Sequence, residues 1–263
     1  MSSKRSAFPW KEFLRSVAVI AIPIALQNLL TTTGSMVDTM MIAPLGELSV
    51  GAVGLCAQFS SLMFSGYWGF MGGGMLFFAQ YYGAKDDGGV NRAYGMTLLC
   101  MMADAVVFSA LALFFPEFVM RVYTDKPAIQ EIGVQYLWVV GFAYPLQVYA
   151  MAMSALLRTT DRVRIPLYGA IASVATNVFL NWVLIYGRFG LPAMGIQGAA
   201  LATVCAAGVN ALVILLMGKV QKHPYLFRAS QHFVWNKAFV SEYFHKCFPI
   251  LMNEILIGVG NMV

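Results

Sequence analysis

The 263-residue chain is 59% hydrophobic and only 11% charged, with a formal charge of +5 and a mean hydropathy of +0.70. That balance excludes a water-soluble domain and indicates an all-α, multi-pass membrane protein. The basic excess does not call for nucleic acid as a partner, because the Lys and Arg residues sort by position along the chain.

Lys and Arg are absent from 16–84, 93–120, 127–157, 165–187, 189–218 and 247–263. Since about 20 apolar residues cross a bilayer as a helix, the first gap holds two spans and each other gap one. The spacing predicts spans at 17–44, 49–82, 93–115, 132–154, 165–187 and 196–218, with a seventh beginning near 247. PLGEL, GAKDDGGVNR and GRFGLPAMG supply turns. The second stretch is longer than a bilayer needs, so tilt, a bend at GYWGFMGGG or protrusion is expected to absorb the surplus. The chain divides into an amphipathic N-terminal segment (1–16), a six-helix transmembrane lobe (17–218), a linker (219–246) and the start of a second lobe (247–263).

Fourteen of the 17 basic residues fall on one side: Lys4, Arg5, Lys11, Arg15, Lys85, Arg92, Arg158, Arg162, Arg164, Lys219, Lys222, Arg228, Lys237 and Lys246. Only Arg121, Lys126 and Arg188 fall on the other. The positive-inside rule therefore places the N terminus and the linker in the cytosol of a cell-membrane protein. The first apolar run is too long for a cleavable signal peptide and lacks a small-residue cleavage pattern. Cys56, Cys100, Cys205 and Cys247 are scattered, as are His223, His232 and His245, so neither a disulfide framework nor a metal-ligand spacing is supported.

In chain order, the spans carry few polar residues. Pro23 interrupts span 1 and favours a kink. Asp38 lies six residues before the end of the same span, about 9 Å in from the outer surface. A charged Asp inside a helix costs about 2.5 to 3.5 kcal/mol on insertion scales. With no Lys or Arg inside any expected span, it must be protonated, hydrated in a cavity or balanced by a mobile cation. Asp104 sits near the middle of span 3, as a proton relay or as a polar residue facing a wet cavity. Asn177 and Asn181 share one face of span 5 at i, i+4, and Thr203 enters span 6. By helical rise these three and Asp38 fall about 9 to 15 Å below the outer surface, which suits a cation site. The alternative is ordinary interhelical hydrogen bonding. Glu254 lies near the inner side of the seventh span. The many methionines, several in spans 1 and 2, could line a surface for varied ligands, although lipid contact and core packing account for most.

The closing stretch FPILMNEILIGVGNMV (248–263) resembles IPIALQNLLTTTGSMV (22–37): with Pro249 under Pro23, six of fifteen columns match. An offset of 226 suggests a second copy of one long unit. Several segments, taken together and in order, resemble the multidrug and toxic compound extrusion (MATE) transporters. They are IPIALQNLLTTTGSMVDTMMIAPLGELSVGAVGL, AQYYGAK, YTDKPAIQEIGVQYL, LLRTTDRVRIP and TNVFLNWVLIYGRFGLPAMGIQGAALAT.

The resemblance implies an antiporter, not an enzyme, that exports diverse, often cationic, organic compounds in exchange for Na⁺ or H⁺. It implies two six-helix lobes with a cleft between them. Asp38, Asn177, Asn181 and Thr203 match the family's amino-terminal cation site, Pro23 its bending first helix, and Glu254 an acid of the seventh helix. Beyond the coupling ion no metal or other cofactor is expected. The partners are the bilayer, small organic substrates and a missing second lobe of the same chain, about 200 residues with five more spans. A lipid-linked precursor flippase of the wider superfamily is the alternative; its cleft would be richer in basic residues. A membrane enzyme would need a nucleophile, a metal cluster or an acid and base at one depth. The residues leave Na⁺ against H⁺, and the exported compound, open.

Overall fold

The computed structural model describes residues 10–227 and 232–260. Among the described residues the regular elements are helices: α1 (Trp10–Ile42), α2 (Glu47–Gly83), α3 (Asp87–Phe114), α4 (Pro116–Tyr123), α5 (Pro127–Val140), α6 (Ala143–Thr159), α7 (Arg164–Tyr186), α8 (Gly195–Val220) and α9 (Lys237–Gly260). Five of them, α1, α2, α3, α7 and α8, are long and apolar enough to cross a membrane; the bent pair α5 and α6 makes a sixth span if counted as one. The chain is an all-α, multi-pass membrane protein.

Local signals set the helix boundaries. Asp86 caps α3, its side chain accepting from the Gly89 N–H at 2.9 Å. Pro116 and Pro127 open α4 and α5 at positions where a missing N–H costs nothing. Gly187 closes α7 in the left-handed conformation, φ +65°. Such a backbone suits glycine, and a Cβ there would also meet the Ala193 nitrogen.

Four differences from the expected spans have physical causes. The fourth span, expected at 132–154, is two helices bent by 50° around Gly141 and Phe142. Ser109 donates to the Gly141 carbonyl at 2.8 Å, which satisfies a group left exposed by the break. The short α4 lies where only a connection was expected. The long second span is one unbroken helix of 37 residues, about 55 Å by helical rise. Its glycines serve close packing rather than a bend: a Cβ at Gly69 would come within 2.5 Å of Leu251 Cα on α9.

The fourth difference concerns α9, which starts at Lys237, ten residues before the expected seventh span, because the Asn236 side chain accepts from the Phe239 N–H at 2.7 Å. Over its described residues α9 is not long and apolar enough to count as a membrane span. At the other end of the chain, α1 runs from Trp10 straight into the first span, so residues 10–16 form no separate segment. The rest of the expected N-terminal segment, residues 1–9, and the last three of the seventh, 261–263, lie outside the described residues.

Alanine and glycine let α7 and α8 approach closely: Ala199, Ala200 and Ala202 are buried, and Gly198 lies on the backbone of Leu184. Small residues are how helices gain contact in lipid, where burial of apolar surface gives no drive. The segment after α8 folds back on the ends of α3 and α6. Tyr225 donates to Asp87 at 2.7 Å, Trp235 donates to the Arg92 carbonyl at 3.1 Å, and His223 shares a 3.1 Å hydrogen bond with Thr160. These contacts mark the basic end of the bundle. α1 packs mainly along α7, with Gly34 against Val174, and leaves Leu29, Met36 and Met40 exposed.

Candidate functional site

Five helices line an open-sided cavity of about 550 Å³. Four of the walls repeat at helical spacing, so that one face of each helix is committed to the interior. α1 gives Gln27, Thr31, Ser35 and Asp38; α6 gives Gln147, Met151, Ser154 and Arg158; α7 gives Ala170, Ser173 and Asn177; α8 gives Thr203, Ala206 and Asn210. The fifth wall is aromatic: Phe64, Tyr67 and Trp68 of α2.

The expected cation-site residues come together at the end of the cavity away from the basic loops. The Asn181 amide donates to Asp38 Oδ1 at 2.5 Å and to Asn177 Oδ1 at 3.1 Å. Asp38, Asn177 and Thr203 face the cavity, and Asn181 is buried behind them at 0% exposure. Asn181 Oδ1 has no hydrogen-bond partner among the described residues. A buried carbonyl of this kind, beside a carboxylate, is an acceptor suited to a cation. Thr203 turns its hydroxyl back onto the Ala199 carbonyl at 3.0 Å. The four oxygen-bearing side chains are hard donors of the type Na⁺ takes, and the carboxylate is equally able to carry a proton. α1 is fixed at this end by a second bond, from the Tyr186 hydroxyl to the Met41 carbonyl at 2.9 Å.

Other singled-out residues are placed elsewhere. Asp104 does not line the cavity; it packs on Gly66 of α2, within electrostatic reach of Tyr67, which does line it. One oxygen of Asp104, Oδ2, is buried without a hydrogen-bond partner among the described residues. Glu254, half-buried on α9, is likewise not in the cavity wall. Pro23 lies inside α1, one turn before Gln27, and the helix continues through it. Of the methionines among the described residues only Met151 lines the cavity, while Met63 and Met71 are core and Met36 and Met40 are exposed.

Two participants were not expected. Tyr136 of α5 is buried, within electrostatic reach of Asp38 and hydrogen-bonded to the Thr203 side chain. Arg158, assigned to a loop by the expected span 132–154, belongs to the last turn of α6, and its guanidinium donates to Gln27 Oε1 at 2.8 Å across the cavity. The expectation that no basic residue accompanies the spans is thereby corrected. The stripe Gln147, Met151, Ser154 and Arg158 on α6, at helical spacing, is the signal in the sequence that points to Arg158.

Comparison with known proteins gives the fold a family. The chain is 27% identical over 251 residues to the probable multidrug resistance protein YoeA of Bacillus subtilis (strain 168), covering 94% of this chain and 54% of that protein. It is 26% identical over 219 residues to the probable multidrug resistance protein NorM of Rhizobium meliloti (strain 1021), covering 83% and 46%. The chain thus spans about half the length of the curated relatives it matches. A solved structure of a MATE transporter in the bent conformation superposes with a TM-score of 0.79 at 19% identity, covering 91% of this chain and 52% of that one. One in the straight conformation gives the same TM-score. The MatE family profile matches residues 23–183, more than half of the sequence, and the chain belongs to that family.

Proposed function

We propose that the chain forms the amino-terminal lobe of a cation-coupled exporter of diverse organic compounds, many of them cationic. Na⁺ or H⁺ exchanges at Asp38, Asn177, Asn181 and Thr203. On this reading residues 17–218 make the lobe, 219–236 connect it, α9 begins a second lobe, and the basic end with the N terminus faces the cytosol of a cell membrane. No enzymatic step is part of it.

One observation carries the reading: the carboxylate of Asp38 lies at a cavity wall, bonded to the amide of a fully buried Asn181 whose carbonyl has no hydrogen-bond partner among the described residues. A carboxylate held there without a fixed cation at its own end can exchange a proton or Na⁺ as α1 moves. Pro23 provides the position on α1 where the helix hydrogen bonding is interrupted. The lipid-linked flippase alternative asks for several basic residues in the cavity, and the wall contains a single one, Arg158.

Uptake of a fluorescent organic cation into vesicles, with this chain in its full-length protein and an imposed Na⁺ or pH gradient, tests the proposal. Uptake should follow one of the gradients and fall to background in Asp38→Asn. Uptake in that variant equal to wild type rules out coupling through Asp38.

A further inference from the structure

At the basic end of the bundle, acids offset the cations unevenly. On the side of α3 and α9, Arg92 lies 3.7 Å from Asp86 and Lys246 lies 2.7 Å from Glu242. Where α6 passes into α7 and where α8 ends, Arg162, Arg164, Lys219 and Lys222 are exposed, with no carboxylate within ion-pair distance among the described residues. The acid of that turn, Asp161, accepts instead from the Tyr82 hydroxyl of α2 at 3.5 Å. Two contacts join the turns into one corner: the Thr160–His223 hydrogen bond, and one donated by the Arg162 guanidinium to Gln221 Oε1 at 3.4 Å. Four like charges gathered in this way repel one another, and a bound anion offsets that cost.

Below the corner the helix surfaces are apolar and uncovered. α7 carries Arg164, Tyr168 and Ile171 at i, i+4 and i+7, and α8 carries Leu212, Leu216 and Lys219 at the same spacing. Each helix therefore shows one stripe with a cation at the basic end, and the two helices pack side by side. The four apolar members are 44 to 53% exposed, and none of the six residues lines the cavity. A surface that is apolar for two turns and cationic at its end matches a phospholipid, with acyl chains along the helices and a phosphate at the cations. Arg164 offers a planar fork to the phosphate oxygens, and Lys219 a flexible point charge.

We propose that this corner holds an anionic phospholipid of the surrounding membrane. Its phosphate sits between Arg164 and Lys219, with Arg162 and Lys222 around it, and its chains lie on the stripes of α7 and α8. The site is on the outside of the lobe and does not depend on the exporter reading. A zwitterionic lipid brings its own cation to the corner and forfeits the gain; an anionic headgroup keeps it. Bound there, the lipid ties the start of α7 to the end of α8, where the chain leaves toward α9.

The test equilibrates this chain, purified in a non-ionic detergent, with equal amounts of dioleoyl phosphatidylglycerol and dioleoyl phosphatidylcholine. Native mass spectrometry then counts the lipids retained. Wild type should retain phosphatidylglycerol over phosphatidylcholine by about ten-fold. Arg164→Gln combined with Lys219→Gln should bring the two lipids to parity. Arg92→Gln combined with Lys246→Gln, which removes the same charge from the same end, should leave the preference as it is. Excess glycerophosphoglycerol, the headgroup without its chains, should not displace the lipid. Equal loss of preference in the two double variants would show a general effect of charge and overturns the proposal. So does displacement by the free headgroup, which makes the corner a site for soluble phosphates, and so does a wild type that retains both lipids alike.

Discussion

At the scale of single residues, the site is defined by what Asn181 does with its two ends. Its amide is spent on Asp38 and Asn177, and its carbonyl faces no donor. If that carbonyl helps to hold the coupling ion, Asn181→Leu removes both a ligand and the bond that orients Asp38. The ion concentration for half-maximal uptake should then rise about ten-fold or more, read from uptake against Na⁺ or proton concentration. An unchanged midpoint would mean that the amide pair is packing alone. Asp38, Asn177, Asn181 and Thr203 were legible in the sequence because polar side chains in apolar spans are costly and helical rise converts position into depth. Tyr136 and Arg158 were not, for opposite reasons. A tyrosine in an apolar run is unremarkable, and Arg158 sits in a helical turn that the basic residue itself seemed to end.

His223 supplies a second test at this scale, outside the spans. Its ring is 6% exposed and bonded to Thr160, and burial followed by the nearby Arg162 charge pulls its pKa from 6.5 down to about 4. A folded-state pKa below the unfolded value means that the docked segment favours the neutral ring. Its contribution is therefore present above about pH 6.5 and is lost as pH falls toward about 4. Emission from a variant retaining only Trp235 should report the connection loosening over that window, and His223→Gln should flatten the response. An identical pH profile in the two proteins would contradict this role.

At the scale of elements, glycine and proline mark opposite behaviours. The face of α2 that carries Gly69 and Gly73 lies against Leu251 and Cys247 of α9, close enough that an added Cβ must displace one of the helices. Gly69→Leu overpacks this seam and should destabilise it by about 1 to 3 kcal/mol. A lower thermal midpoint in detergent checks this, and an unchanged midpoint would show the seam to be loose. Pro23→Ala restores the missing backbone hydrogen bond of α1. It should cut gradient-driven uptake while leaving ligand binding in place, measured by uptake and dye anisotropy side by side; wild-type uptake would remove the proline from the transport cycle. The unbroken α2 and the divided α5 and α6 show where sequence was ambiguous. A glycine cluster reads equally as a bend or as a packing surface, and Gly141 became a break because Ser109, from another helix, satisfies the carbonyl it frees.

At the scale of the whole molecule, α1 and α9 share a plan. Each carries an internal proline, Pro23 in α1 and Pro249 in α9. The membrane class and the family resemblance were readable from composition and ordered motifs, and the family match covers the first of these prolines and the Asp38 stretch. The early start of α9 was hidden because Lys237, Glu242 and Lys246 look like linker composition, although Asn236 caps the helix and Lys246 pairs with Glu242 at 2.7 Å within its first three turns. The central claim is a single exchangeable cation site at Asp38, and the most direct measurement is equilibrium binding of radiolabelled Na⁺, with proton release followed by a pH indicator, on purified wild-type and Asp38→Asn protein. The wild type should show saturable Na⁺ binding or a titratable proton at the site, and Asp38→Asn should show neither. Saturable Na⁺ binding and proton release that persist undiminished in Asp38→Asn would contradict the account.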